Sequence, residues 1–241
     1  MSEHDDILER LRQTLNEQGI DSFHILEDLV PLDIQMDYFK YFDILRKEKQ
    51  TFDREKEAAI LFSKYEDIER KKKSLTLLAT IPDVGAYRTI ETYHNNNSNT
   101  ELSHWSSMAL VSSRIVLTSD LSGQQQVYIS SGLGGQDKKL RFFSLFTTNN
   151  RQEFSELQKE IIDREFTFHL KTADVYIEKF DIKNNYFTIL LLFPFDEDIR
   201  SRLNSAVEEC NQYGNFLNTK FLFTNIKILN EKEIGTLLNK K

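Results

Sequence analysis

The 241-residue chain contains one cysteine, three prolines and no long apolar run. The single cysteine, Cys210, excludes an internal disulfide framework and a metal cluster built on several cysteines. A bilayer span needs roughly 20 apolar residues, and the segment "YFTILLLFPF" is about half as long. The N-terminal segment lacks the basic and apolar regions of a secretory signal. These features predict a cytoplasmic protein with no membrane partner.

Positive charge is also scarce, since 31 Lys and Arg stand against 38 Asp and Glu, for a net charge of −7. Binding to phosphates is driven mainly by clustered Lys and Arg, so this balance argues against nucleic acid as a partner through a broad footprint, while a local basic patch stays open. The five histidines are scattered, without the short spacing of metal ligands. The sequence therefore predicts no metal, no cofactor and no catalytic residue, and Cys210 is interpreted as a small core residue because it shares an apolar helical stripe.

Helical periodicity extends from Asp5 to about Leu121. A first helix is predicted to place Ile7, Leu8, Leu11 and Leu15 on one face. The segment "DSFHILEDLV" then begins with a capping signal and stops before Pro31, as a short helix does. The pattern over residues 37–63 predicts one long or two short helices.

Two helices are predicted on either side of a Pro82-Asp83 turn. Their apolar faces comprise Leu75, Leu78 and Ala79 in the first, and Ala86, Tyr87, Ile90 and Tyr93 in the second. This pairing resembles a HEAT or armadillo-type unit over about residues 54–117. A simple helical bundle accounts for the same pattern equally well.

Beyond Gly123 the apolar period changes to two, which indicates strands. The predicted order over residues 138–229 is strand, helix, strand, strand, helix, strand, and it resembles the ferredoxin-like split βαβ arrangement. The fold class predicted is therefore α+β, with a helical domain at 1–122 and a ferredoxin-like βαββαβ domain at 123–241. Within the second domain, one extra strand, "QQVYISS", precedes the βαββαβ order. Its pairing is open, because the ferredoxin-like order leaves the first strand no free edge.

The stretch "SSGLGGQDKKLR" at residues 130–141 holds three of the eight glycines. Successive glycines can turn backbone N–H groups toward an anion, and nearby cations would add charge. A phosphate loop, however, opens a helix, whereas this stretch leads into a strand. A structural turn and an anion or partner contact both stay open. The candidate contact residues are Ser131, Gly132, Gly134, Gly135, Lys138, Lys139 and Arg141.

With no nucleophile, metal or nucleotide motif, the sequence favours a non-catalytic protein-interaction, regulatory or adaptor component. The predicted partner is another protein or a second copy, because the strands are apolar on both faces and one face lacks a cover. A first alternative is a small-ligand or nucleotide-binding domain or enzyme that uses the glycine stretch. A second alternative is RNA binding on aromatic side chains of the sheet. Those side chains are Phe142, Phe143, Phe146, Tyr186, Phe187 and Phe193.

Overall fold

A computed structural model describes residues 23–48, 51–124, 126–171, 174–194 and 197–239. The chain divides into two compact units, residues 1–132 and 133–241. Helices predominate in the first unit, and an antiparallel sheet follows in the second, which confirms the predicted α+β class. The helix predicted around Ile7 to Leu15 lies outside the described residues.

The described part of the first unit contains five helices. They are α1 (Leu32–Glu48), α2 (Arg54–Phe62), α3 (Ile68–Ala79), α4 (Val84–Asn96) and α5 (Thr100–Ser122). Side chains cap the N-termini of α2 to α5 by accepting backbone N–H groups. The capping residues are Asp53, Asp67, Asp83 and Asn99. The helix α5 ends at Gly123, whose φ of 67° is the left-handed conformation typical of a helix C-terminus.

A two-stranded parallel sheet completes the first unit. The strands β1 (Phe23–Ile25) and β2 (Val127–Ile129) pair with Phe23 opposite Val127. The helix predicted from the capping signal before Pro31 is therefore wrong. A strand that lies about a hundred residues away in sequence supplies the backbone partners for β1, and local sequence does not reveal such a partner.

The core of the first unit is built on aromatic rings packed against aliphatic helix faces. The rings of Tyr38 and Trp105 meet edge to face with centroids 5.3 Å apart. The indole Nε1 of Trp105 donates to Thr76 Oγ1 at 3.0 Å. Burial of this polar atom is therefore compensated by a hydrogen bond.

The second unit has the strand order expected of a ferredoxin-like sheet. Its elements are β3 (Gly135–Gln136), β4 (Lys139–Thr147), α6 (Glu156–Lys171), β5 (Tyr176–Ile182), β6 (Tyr186–Pro194), α7 (Ile199–Gln212), β7 (Leu222–Thr224) and α8 (Glu231–Asn239). The sheet order is β3-β4-β6-β5, and β7 also pairs with β4. All of these pairings are antiparallel.

The strand that precedes the ferredoxin-like order in this sheet is β3 and not the predicted "QQVYISS", and it displaces no neighbour. The two-residue strand β3 pairs with Lys139 and Leu140 at the start of β4. The strand β7 pairs with residues 143–145 farther along β4. The segment "QQVYISS" takes no part in this sheet, since its β2 pairs with β1 in the first unit.

Both faces of the five-stranded sheet are covered within the second unit. On one face, Phe146 stacks on Phe187 and meets Phe166 of α6 edge to face. On the other face, Phe143 and Leu145 share a buried cluster with Ile234 of α8. The prediction that this second face needs the helical half or another copy is therefore wrong, because the last helix of the chain covers it. No described helix has the length and apolar character that a bilayer crossing requires.

Candidate functional site

The glycine stretch forms a turn that leads into the β3–β4 hairpin. Gly134 has a φ of 64°, and its carbonyl accepts the N–H of Arg141 at 2.9 Å. Asp137 and Lys138 join the two strands with φ values of 49° and 63°. Two successive left-handed residues are typical of a type I′ hairpin turn, which matches the twist of the flanking strands.

Two of the cations predicted to attract an anion are paired with carboxylates. The guanidinium of Arg141 binds Glu178 through Nε–Oε2 at 2.6 Å and Nη2–Oε1 at 2.8 Å. Its Nη1 donates to the carbonyl of Leu133 at 2.7 Å. The Lys139 ammonium lies 3.0 Å from Asp174. These contacts hold the hairpin against β5.

The candidate contact residues fall in both units. Ser131 and Gly132 belong to the first unit, where Gln35 Nε2 donates to the Ser131 carbonyl at 2.9 Å. Gly134, Gly135, Lys138, Lys139 and Arg141 belong to the second unit. Ser131 and the three glycines are buried, whereas Lys138 is exposed. A contact role for this stretch stays a prediction.

We expect Gly134→Ala to destabilise the second unit by about 1–2 kcal/mol, because a side chain disfavours the left-handed conformation. Gly134→Asn should cost less, since asparagine tolerates that conformation. Urea denaturation followed by circular dichroism measures both changes. Equal stability of wild type and Gly134→Ala would show that the positive φ is not required.

A separate cleft opens where β4 ends, with a volume of about 640 Å³. Strand ends, the loop before β7 and the helix α8 contribute its walls. The lining residues are Leu145, Thr147, Thr148, Asn149, Arg151, Asn185, Asn218, Lys220, Leu222, Gly235, Leu237, Leu238 and Asn239.

Backbone hydrogen bonds hold three segments together at this end of the sheet. The Thr148 N–H donates to the Asn185 carbonyl at 3.1 Å, in the turn between β5 and β6. The Asn218 N–H donates to the Thr147 carbonyl at 2.9 Å. The polar side chains of the cleft therefore project from segments with a defined register.

The cleft combines free cations with side-chain amides. Arg151 and Lys220 are exposed, and the described residues place no carboxylate within ion-pair distance of either. None of the lining residues is acidic. Four asparagines line the cleft, although Asn149 Nδ2 already donates to the Asn215 carbonyl at 2.8 Å and Asn218 Oδ1 accepts the Lys220 N–H at 2.9 Å. Three partly exposed leucines supply apolar surface. An anion with a hydrogen-bonding, partly apolar body fits this set of groups.

Thr148 carries a hydroxyl that has no partner. Its Oγ1 is buried and accepts or donates no hydrogen bond to the described residues. The side chain is only 6% exposed. A buried hydroxyl without a partner costs free energy, of the order of 1–3 kcal/mol. Because Oγ1 has no accessible surface, it offers no contact to a ligand in the cleft.

Sequence reasoning did not find the cleft. Its polar residues lie in the segments "TTNNR" after β4 and "NTK" before β7, which are typical of ordinary loops. They are about 70 residues apart, and only the β4–β7 pairing brings them together. The available signal was a polar run directly after a buried strand.

Other reactive groups of the described residues are explained by packing. Burial raises the pKa of the Cys210 thiol to about 12, so it is a core group and not a nucleophile. In the first unit, His94 Nδ1 lies 3.0 Å from Ser106 Oγ and its Nε2 lies 3.6 Å from Asp28. Ser106 is fully buried and donates to the Ser103 carbonyl, so a substrate cannot reach it. Among described residues, no three His, Cys, Asp or Glu side chains form a metal-binding group.

No protein-family model matches the sequence, and no curated protein matches it. Similar solved structures include a REP-associated tyrosine transposase bound to a REP hairpin, with 14% identity and a TM-score of 0.33. That match covers 42% of this chain and 62% of the transposase, less than two thirds of its length. A transposase from Deinococcus radiodurans R1 has 13% identity and a TM-score of 0.33, over 42% of this chain and 86% of its own. Likeness of this degree leaves the activity of the chain unassigned.

These neighbours are transposases, and the first is bound to a nucleic-acid hairpin. Against this finding, the prediction of a non-catalytic interaction, regulatory or adaptor component is wrong. The prediction that the partner is a protein and not nucleic acid is wrong for the same reason. The structure removes the premise as well, because α8 covers the sheet face on which the adaptor prediction depended.

The net charge of the chain averages over two units that differ in charge. Residues 133–241 contain 16 Lys and Arg and 16 Asp and Glu, and are formally neutral. Residues 1–132 contain 15 Lys and Arg and 22 Asp and Glu, and therefore carry the whole net charge of −7. A neutral unit with a local cationic cleft is compatible with phosphate binding.

The alternative of an aromatic RNA-binding platform is also contradicted by burial. Its five phenylalanines are each at most 4% exposed, and Tyr186 is half-buried. Bases cannot stack on rings that the helices already cover.

Proposed function

We propose that residues 133–241 bind a nucleic-acid strand through the cleft at the end of β4. The observation that carries the proposal is the combination in one cleft of asparagine amides with two exposed cations, Arg151 and Lys220, that have no carboxylate partner among the described residues. The cleft, and not the likeness to the two transposases, is the support for it.

Each component of the cleft suits one part of a nucleotide. Arg151 and Lys220 suit phosphate oxygens, because exposed cations without a carboxylate partner lose no ion pair on binding. The asparagine amides suit base edges, which present donors and acceptors side by side. The leucines suit the apolar face of a ring or a sugar.

The decisive experiment removes both cations from the full-length chain. Arg151→Asn with Lys220→Asn leaves the backbone undisturbed, since asparagine tolerates the φ of 61° at position 151. Binding of a fluorescein-labelled 20-nucleotide thymidine strand is measured by anisotropy at several salt concentrations. We expect an affinity loss of about 10–100-fold, and a plot of log K against log salt that is shallower by about 1.4.

The matched control is Lys159→Asn with Lys171→Asn, which changes the net charge equally. Both lysines are on α6, and neither lines the cleft. We expect the control to bind nearly as the wild type does. The proposal is wrong if the wild type shows no salt-dependent binding, or if the cleft variant keeps the wild-type affinity and salt slope.

A cytoplasmic location forms part of the same proposal, since a single cysteine provides no internal disulfide for an oxidising compartment. Cell fractionation tests it.

A further inference from the structure

The helix α8 contains a glycine that its own structure does not require. Its N-terminus is well capped, because the Asn230 side chain accepts the Glu233 N–H and the Glu233 side chain accepts the Asn230 N–H, both at 3.0 Å. Gly235 nevertheless stands in the middle of this nine-residue helix. Glycine at such a position is less favourable than any common residue except proline.

Neither of the usual reasons for a helical glycine applies to Gly235. Among the described residues, the glycines with a left-handed backbone conformation are Gly123, Gly134 and Gly214, and Gly235 is not one of them. A Cβ added at position 235 would meet no heavy atom within 4 Å, so no neighbour approaches too closely for a side chain. The space that the missing side chain leaves belongs to the cleft, which Gly235 lines.

The shape and chemistry of that space suit a planar ring. Leu222, Leu237 and Leu238 give the same cleft partly exposed apolar surface, and Leu145 is buried beneath it. The side chain of Asn185 offers a polar group at its lining. A nucleic-acid base has apolar faces and a polar edge, whereas a phosphate or a sugar has no such flat apolar surface.

We infer that Gly235 is the specificity-determining residue of the cleft, and that the space it leaves admits one base of the bound strand. The inference rests on the proposed nucleic-acid binding and adds the part of the nucleotide that the cleft selects. A side chain at position 235 would fill the space of the base.

The test compares two 20-nucleotide strands of equal charge, one of thymidine and one of abasic tetrahydrofuran units. We expect the wild-type chain to prefer the thymidine strand by about 5–10-fold, because a base buries apolar ring surface against the leucines of the cleft. Gly235→Leu should bind both strands with equal affinity, near that of the wild type for the abasic strand. Gly235→Ala should lie between the two.

Folding of the variants is checked by their melting temperatures, which should rise because leucine and alanine favour the helix more than glycine does. A lost base preference with a raised melting temperature is therefore not an unfolding effect. Arg151→Asn with Lys220→Asn should lower the affinity for both strands by the same factor.

Three results would overturn the inference. The first is a base preference that persists in Gly235→Leu, and the second is a wild type that binds both strands equally. In either case, salt-dependent binding that is lost on removing the two cations would leave the proposed function standing. The third is the absence of any binding by the wild type, which overturns the proposed function together with the inference.

Discussion

We expect Phe146→Ala to lower the free energy of unfolding of the second unit by about 3–5 kcal/mol. Phe146 is fully buried at the centre of the sheet. Its ring stacks on Phe187 with centroids 4.7 Å apart and meets Phe166 at 4.9 Å. Truncation therefore removes both the buried apolar area and the ring contacts. Urea denaturation followed by circular dichroism measures the loss.

The matched control for Phe146 is Phe168→Ala, on the helix α6. Phe168 is 62% exposed, so its removal should change the stability by at most about 0.5 kcal/mol. A cost at Phe146 as small as that at Phe168 would be incompatible with the aromatic packing described here.

The second large effect is expected at the Glu57–Arg70 ion pair of the first unit. Arg70 Nη1 and Nη2 bind the two Glu57 oxygens at 2.8 and 2.7 Å, and Ser74 Oγ donates to Glu57 at 2.7 Å. Arg70→Ala leaves the buried Glu57 carboxylate without its ion-pair partner, and only Ser74 Oγ still donates to it. We expect a loss of about 2–3 kcal/mol at pH 7, below the value for a fully buried pair because Arg70 is partly exposed.

This loss should depend on pH in a defined direction. Burial acts to raise the pKa of Glu57, but the hydrogen bonds from Arg70 and Ser74 outweigh it and hold that pKa below its usual value. A lowered pKa in the folded state contributes stability above the unfolded pKa of about 4.5, which is lost as the pH falls through the folded value. The difference between wild type and Arg70→Ala should therefore be largest at neutral pH and shrink below about pH 4.5.

The single tryptophan, Trp105, allows this measurement to be confined to the first unit. Its fluorescence should report the Arg70→Ala transition. Arg88→Ala is the control, because the Arg88–Glu91 pair is at the surface, and we expect no measurable change in stability. An Arg70→Ala loss that stays constant from pH 7 to pH 3 would contradict the assigned role of Glu57.

The same probes test the predicted division into two domains. We propose that the two domains unfold separately, so that Phe146→Ala shifts only part of the transition seen by circular dichroism, to which both domains contribute, and leaves that of Trp105 in place. A shift of both transitions together would contradict the division.

Local signals in the sequence were sufficient for most helices and strands. The aspartate and asparagine caps before α2 to α5, and the alternating pattern of β4 and β6, are effects of neighbouring residues. The order of strands and helices then indicated the ferredoxin-like arrangement, which the pairing of β4 with both β6 and β7 bears out.

Errors arose wherever a distant partner decided the outcome. The segment around Phe23 carries a helix-capping signal, yet it is a strand because β2 pairs with it. The apolar face of the sheet suggested an external partner, yet Ile234 and Leu238 of α8 pack against it. Net charge argued against a broad nucleic-acid footprint, yet the excess of acid belongs to the first unit alone.

The sequence by itself determined the α+β class, most of the element order and the aromatic character of the core, because propensity, capping and periodicity act over a few residues. Only the tertiary structure decided the location of the candidate site. Arg151, Lys220 and Gly235 lie in three separate segments, and each is ordinary in its own sequence context. They form a cleft because β7 pairs with β4 and α8 covers the adjoining face, and the free energy of such long-range pairing is not encoded in any one segment.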